Sequence, residues 1–178
     1  MKQLFYIFMA VLLMGCADGS RKQEPASATT PYDSIMQAEG YDAVPLFKTR
    51  TGHITVTLQV NGNPCVFLVD TGGGATLIDI SKKDKYQLSP LAVRDYAAGI
   101  GSATPLVRTT GIFSINGTEV RNDSLFIMDI SYINAEFMKN HSRQVDGVLG
   151  TDFLEKYKAI VDYSRSALYL KTNPDGKD

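Results

Sequence analysis

The sequence predicts one all-β domain carrying one or two short helices, and three observations predict it. Residues 53–60 alternate strictly, with Ile54, Val56, Leu58 and Val60 on one face, which is the period of a half-buried strand. An apolar run, Val66-Phe67-Leu68-Val69, breaks at Asp70-Thr71-Gly72, passes Gly73 and Gly74, and turns apolar again over residues 76–80. That pattern reads as two further strands around a glycine turn. Asn-Gly stands twice between strand-like stretches, at 61–62 and 116–117, and supplies the positive backbone angles of a two-residue hairpin turn. With 178 residues, 44% hydrophobic and 21% charged, the chain is long enough for one domain with a real core.

The elements follow in order. Residues 1–15 read as a targeting segment, since Lys2 gives a positive start and the apolar run over 4–14 is too short to span a bilayer. Residues 16–40 have few large apolar side chains and many Ser, Thr, Pro and Gln, the composition of a flexible tether. The domain is expected over 41–173. Residues 41–51 are ambiguous, with Val44-Pro45-Leu46-Phe47 as a candidate edge strand. Pro64 opens the strand that returns from the first hairpin, a place where a missing N–H is tolerated. Residues 81–88 are charged and polar and read as a surface helical turn. A strand over 91–98 runs into Gly99-Ile100-Gly101-Ser102, and 106–115 and 119–130 form a second hairpin. Residues 131–144 place Ile133, Phe137 and Met138 near helical spacing and allow either a helix or a loop. Asp152, with Glu155 three residues on, resembles a capping box at the start of a short helix, a structural role. Residues 159–163 and 167–171 make a last hairpin around Ser164-Arg165-Ser166, with Asp162 at its turn. A frayed tail is expected over 174–178.

The chemistry centres on Asp70. A carboxylate at the end of a buried strand, on a turn of residues without Cβ, is a placed acid that a ligand backbone can approach closely. A plain surface turn uses the same residues, and Asp-Thr-Gly alone arises by chance in about 4% of chains this long. A second motif adds weight: Asp146-Gly147-Val148-Leu149-Gly150-Thr151-Asp152-Phe153-Leu154. The two motifs, in this order and about 75 residues apart, resemble the aspartic peptidases of the retroviral-protease type, in particular their single-lobe bacterial branch. The resemblance covers roughly residues 47–171.

It implies a single-lobe, pepsin/retropepsin-like closed β-barrel. Asp70 is then the catalytic acid, and Thr71, Gly72 and Gly73 form its loop. Val148, Leu149 and Gly150 pass beneath that loop, and Gly99, Ile100, Gly101 and Ser102 stand at the tip of a substrate flap, although a glycine-tipped hairpin is also an ordinary hairpin. The resemblance further implies that Thr71 hydrogen-bonds across two such loops and that the substrate is an extended peptide. With one Asp-Thr-Gly in the chain, two carboxylates require a homodimer. The family usually has Ala, Ser or Thr after Asp-Thr-Gly. Gly73 followed by Gly74 predicts a looser loop here.

Leu13-Met14-Gly15-Cys16 resembles the cleavage box of bacterial lipoproteins, with an ordinary signal peptide and a chance cysteine as the other reading. The first implies acylation of Cys16, a membrane anchor and a place in the bacterial cell envelope, facing the periplasm or the exterior. Each buried CH₂ of such an anchor contributes about 0.8 kcal/mol. Cys65 then has no disulfide partner and reads as a small buried residue at the start of a core strand. His53 and His141 are far apart in sequence, with no CxxC, HExxH, GxSxG or phosphate-loop motif, so no metal or other cofactor is expected. The chain has 18 basic and 19 acidic residues; without residues 1–15, which hold one lysine, the net is −2 and no basic stripe points to nucleic acid. Three functions therefore compete. They are a membrane-anchored aspartic endopeptidase, a peptide- or partner-binding lipoprotein of the same fold, and a structural lipoprotein whose Asp-Thr-Gly is only a turn.

Overall fold

The structure, a computed structural model, describes residues 31–91, 94–99 and 102–174. Cys16 and residues 175–178 lie outside them. In chain order the elements are α1 (Pro31–Ala38), β1 (Tyr41–Lys48), β2 (Ile54–Val60), β3 (Asn63–Val69), β4 (Thr76–Asp79), a 3₁₀ turn (Ile80–Lys82) and β5 (Arg94–Gly99). There follow β6 (Ser102–Ile115), β7 (Thr118–Met128), α2 (Ser131–Lys139), β8 (Gly147–Leu149), α3 (Thr151–Lys156), β9 (Ile160–Asp162) and β10 (Ala167–Lys171).

Six strands close a barrel in the order β6-β7-β4-β8-β3-β2, and Gln59 and Val60 pair back to Ser114 and Phe113 to complete the ring. This is the fold class expected. Two pairings inside it are parallel, β3 with β8 and β4 with β7. Both predicted Asn-Gly turns form, with φ of 47° and 77° at Asn61 and Gly62 and of 48° and 90° at Asn116 and Gly117. Positive φ at both central residues matches the right-handed twist of the flanking strands.

The burial pattern follows from the strands' positions. On β2, Ile54, Val56, Leu58 and Val60 are buried while Thr57 and Gln59 are exposed. β3 is buried on both faces, which is why it reads as a continuous apolar run. Cys65, Phe67 and Val69 enter the main core with Val56, Ile78, Phe113 and Leu149. Val66 and Leu68 enter a second core with Leu77, Phe126, Phe137 and Val148.

Several expectations need correction. The tether does not reach residue 40, because α1 seats Met36 on Ala167 and Tyr169. The Tyr169 hydroxyl donates to Asp33 Oδ1 at 2.7 Å, and the Arg165 guanidinium lies 4.0 Å from the centre of the Tyr32 ring. β1 is not an edge strand, since residues 41–45 pair with β10 and residues 46–48 with β2. The 81–88 segment is not wholly a surface turn, because Tyr86 is fully buried and donates its hydroxyl to the Pro64 carbonyl at 3.0 Å. Asp152 does not cap α3. Gly150 holds the cap position and, lacking a side chain, makes no side-chain cap bond to the helix. The segment after residue 130 resolves as the helix α2, with Phe137 buried and Met138 exposed.

Candidate active site

β3 delivers Asp70 to the mouth of the barrel with a half-buried side chain. Its backbone is fixed on two sides: its N–H donates to Leu149 O at 3.1 Å, and its carbonyl accepts from Gly73 N–H at 3.2 Å. Gly72 N–H donates to Oδ1 at 2.9 Å. Among the described residues Oδ2 accepts no hydrogen bond, so one carboxylate oxygen is held and the other is free to meet a ligand. A Cβ on Gly73 would stand 3.1 Å from Oδ2, while one on Gly74 would meet nothing within 4 Å. Thr71 and Gly72 are exposed beside the acid.

The loop is tighter than two extra glycines predict. Gly73 O accepts from Thr151 N–H at 2.7 Å and from the Thr151 hydroxyl at 3.1 Å. Beneath it, Val148 pairs with Leu68 and Leu77, and Leu149 pairs with Val69. Gly150 then passes against Ala75 so closely that a Cβ would sit 2.5 Å from its carbonyl carbon. The structure thus brings together Asp70, Thr71, Gly72, Gly73, Val148, Leu149 and Gly150. The parallel β3–β8 pair makes that juxtaposition.

Three residues whose supporting contacts sequence reasoning missed complete the site. One is Thr151, above. Thr76 donates its hydroxyl to Asp152 Oδ1 at 2.6 Å and accepts from Gly150 N–H at 3.0 Å. Asp152 also accepts from Phe153 N–H at 2.7 Å. The available signal was Thr76 itself, a fully buried hydroxyl opening a strand whose next two residues are apolar.

Gly99 pairs with Ser102 at the end of the β5–β6 hairpin. Ile100 and Gly101, between them, lie outside the described residues. Leu106, farther down β6, shares the second core with Leu68 and Val148, so the base of this hairpin packs against the strands that carry the site. Cys65 is buried, and that burial pushes its thiol far above the usual range, with the Tyr86 hydroxyl a weaker opposing influence. A thiol held protonated is no nucleophile. His53 accepts or donates at Nδ1 with the Thr51 hydroxyl at 2.8 Å and lies against Phe137, while His141 is exposed just after α2. Asp146 accepts from Val66 N–H at 3.1 Å and pairs with Lys85 at 3.4 Å, a bracing role at the far end of β8.

Comparison with known proteins agrees with this geometry. The sequence matches the aspartyl protease family over residues 56–153, from within β2 into α3. DNA damage-inducible protein 1 of Neurospora crassa is 27% identical over 117 residues, which are 64% of this chain and 24% of that protein. The chain therefore spans about a quarter of that relative's length. Among solved structures, a retropepsin-like aspartic protease from Rickettsia conorii superposes with a TM-score of 0.50 at 20% identity, covering 74% of this chain and 89% of that one. The retroviral protease-like domain of Ddi1 from Leishmania major gives 0.46 at 14% identity, covering 69% and 88%. The Rickettsia likeness shows the fold. The family match covers more than half of the chain and contains both the Asp70 loop and the strand beneath it. The chain belongs to the aspartyl protease family, with a retropepsin-like fold.

Proposed function

We propose that the protein is an aspartic endopeptidase that works as a homodimer, each subunit supplying Asp70. The observation that carries this reading is the held but half-free carboxylate: Oδ1 is fixed by Gly72 N–H, and Oδ2 is open above Gly73. Two such carboxylates facing each other share one proton. The ionised one takes a proton from water as the oxygen attacks the peptide carbonyl carbon. The protonated one gives its proton to the carbonyl oxygen, forming a tetrahedral diol. Collapse of the diol breaks the C–N bond, and a proton passes to the leaving nitrogen.

Thr71 bonds to the partner's loop, and Gly72 leaves room for water and substrate. The β5–β6 hairpin, with Gly99, Ile100, Gly101 and Ser102 at its tip, covers an extended peptide held partly by main-chain hydrogen bonds. Acylated Cys16 tethers the domain to a membrane of the bacterial cell envelope. The family membership and the likeness to retropepsin-like proteases support peptide hydrolysis.

The test is digestion of a mixed peptide library by the protein and by Asp70→Asn, scanned from acidic to neutral pH and read by mass spectrometry. Cleavage that disappears in the variant and follows a bell-shaped pH profile is expected. A folded, dimeric protein that cuts at no pH would instead be a peptide- or partner-binding lipoprotein, a reading favoured by the single Asp-Thr-Gly and by Gly73-Gly74 standing where the family usually has Ala, Ser or Thr. Anchoring is tested separately by lipid labelling of wild type and Cys16→Ala, with loss of label expected in the variant.

A further inference from the structure

A pocket of about 370 Å³ opens on the outer side of β2 and β3, between the link that follows β1 and the turn that follows α2. Lys48 and Arg50 line it from one side and His141 and Arg143 from the other, and among the described residues no carboxylate lines it. Among the described residues none of the three permanent cations has a salt-bridge partner. This gathering occurs in a chain whose net charge is −1. Like charges around one concavity repel unless a counter-charge enters, and a cleft lined by one sign draws such ions in. Neutral donors stand among the cations: Thr57 lines the pocket, and Ser142 Oγ is buried in its wall without a hydrogen-bond partner. Arginine suits the two oxygens of a carboxylate or phosphate because its N–H groups form a planar fork.

We infer that this pocket is an oxyanion site that takes a carboxylate or phosphate group. Its volume exceeds that of the anion alone and admits the molecule or side chain that carries it. Two sources fit. Thr55, in the pocket, pairs with Leu68, two residues before Asp70, and Val66 lies four before it. At about 3.3 Å per residue the pocket is roughly 7–13 Å from Asp70, the reach of two to four residues of extended peptide. An acidic side chain of a bound peptide is therefore one source, and this one rests on the peptidase reading. A free phosphate-bearing molecule is the other, and it does not.

The test is calorimetric titration of the full chain in neutral detergent, carrying Asp70→Asn so that no peptide is cut. Inorganic phosphate is one probe. The other is an octapeptide with a single Glu three residues from its centre, beside its Gln twin. Saturable phosphate binding, weakened at least about tenfold by Arg50→Gln with Arg143→Gln and unchanged by Lys158→Gln, supports the site and the free anion. A Glu peptide bound at least about tenfold tighter than its twin, with the same dependence on the two arginines, supports the site and a substrate side chain. No saturable binding of either probe, or binding that the double substitution leaves unchanged, overturns the inference. Because Asp70 is substituted throughout, failure of the peptidase reading would show in the cleavage assay and not here.

Discussion

At Gly150 the absence of one carbon lets β8 run directly under the Asp70 loop. A Cβ there would meet the Ala75 carbonyl carbon and oxygen, both at 2.5 Å, and backbone cannot step aside as a side-chain end can. Gly150→Ala is therefore expected to destabilise the fold by about 3 kcal/mol or more. Gly74→Ala, whose Cβ would meet nothing within 4 Å, is expected to stay within about 0.5 kcal/mol of wild type. Urea unfolding of the two variants side by side checks the contrast, and equal midpoints would contradict it. Asp162 gives a prediction in pH. Its carboxylate accepts first from the Ser164 hydroxyl, at 2.6 Å, and then from Arg165 through backbone N–H and guanidinium, both at 2.9 Å. These bonds hold its pKa down at about 2. The folded value thus lies below the unfolded value of about 3.9, so the contribution is fully present above that pH. It is lost as pH falls toward 2. Asp162→Asn should lower the melting temperature at neutral pH, with the gap closing as acid is added. A gap constant across pH would mean that the charge is not its cause.

Between elements, the Thr76 hydroxyl joins β4 to the start of α3. Thr76→Val keeps the shape but leaves Gly150 N–H and Asp152 Oδ1 each without this partner, next to an Asp152 Oδ2 that is already buried and unpaired. The expected cost is about 1–3 kcal/mol. A double-mutant cycle with Asp152→Ala should show coupling above about 0.5 kcal/mol, and additive losses would mean that the two side chains act separately. This link also shows what the sequence could and could not reveal. The Asn-Gly hairpins and the alternation of β2 are local chemistry, and the structure contains both. The parallel β3–β8 pair joins residues about 80 apart in sequence and has no local signature. Only the resemblance of two distant motifs pointed to it. Asp152 with Glu155 matched a capping pattern, and that obvious role hid the bond to Thr76. Tyr86 was hidden by its neighbours Lys82, Lys83, Asp84 and Lys85, which make a buried aromatic look like surface. α1 was hidden by the polar composition before it, although Tyr32 and Met36 lie four apart and share the face that meets Tyr169.

As a whole molecule, the chain carries one Asp-Thr-Gly, with one oxygen of Asp70 held and the other open, so the proposed hydrolysis by a shared-proton pair would have to cross between subunits. Two carboxylates within one chain would have made each chain autonomous. On the proposed dimeric reading, one per chain makes activity a property of the pair, and this difference can be measured without any structure of the dimer. Wild type mixed with Asp70→Asn under conditions of free exchange forms wild-type, mixed and variant dimers. Mixed dimers have one carboxylate and cannot share the proton. The activity per wild-type chain then equals the wild-type fraction, so an equal amount of variant lowers it to about half and a ninefold excess to about a tenth. If Asp70 worked alone, adding the variant would leave the activity per wild-type chain unchanged. Asp70→Asn keeps the backbone bonds from Asp70 N–H to Leu149 and from Gly73 to the Asp70 carbonyl, so it is expected to fold and pair like wild type. Matching sedimentation of variant and wild type would verify that exchange, and not loss of folded partner, sets the dilution. A proportional fall would establish that the active unit contains two copies of the Asp70 loop.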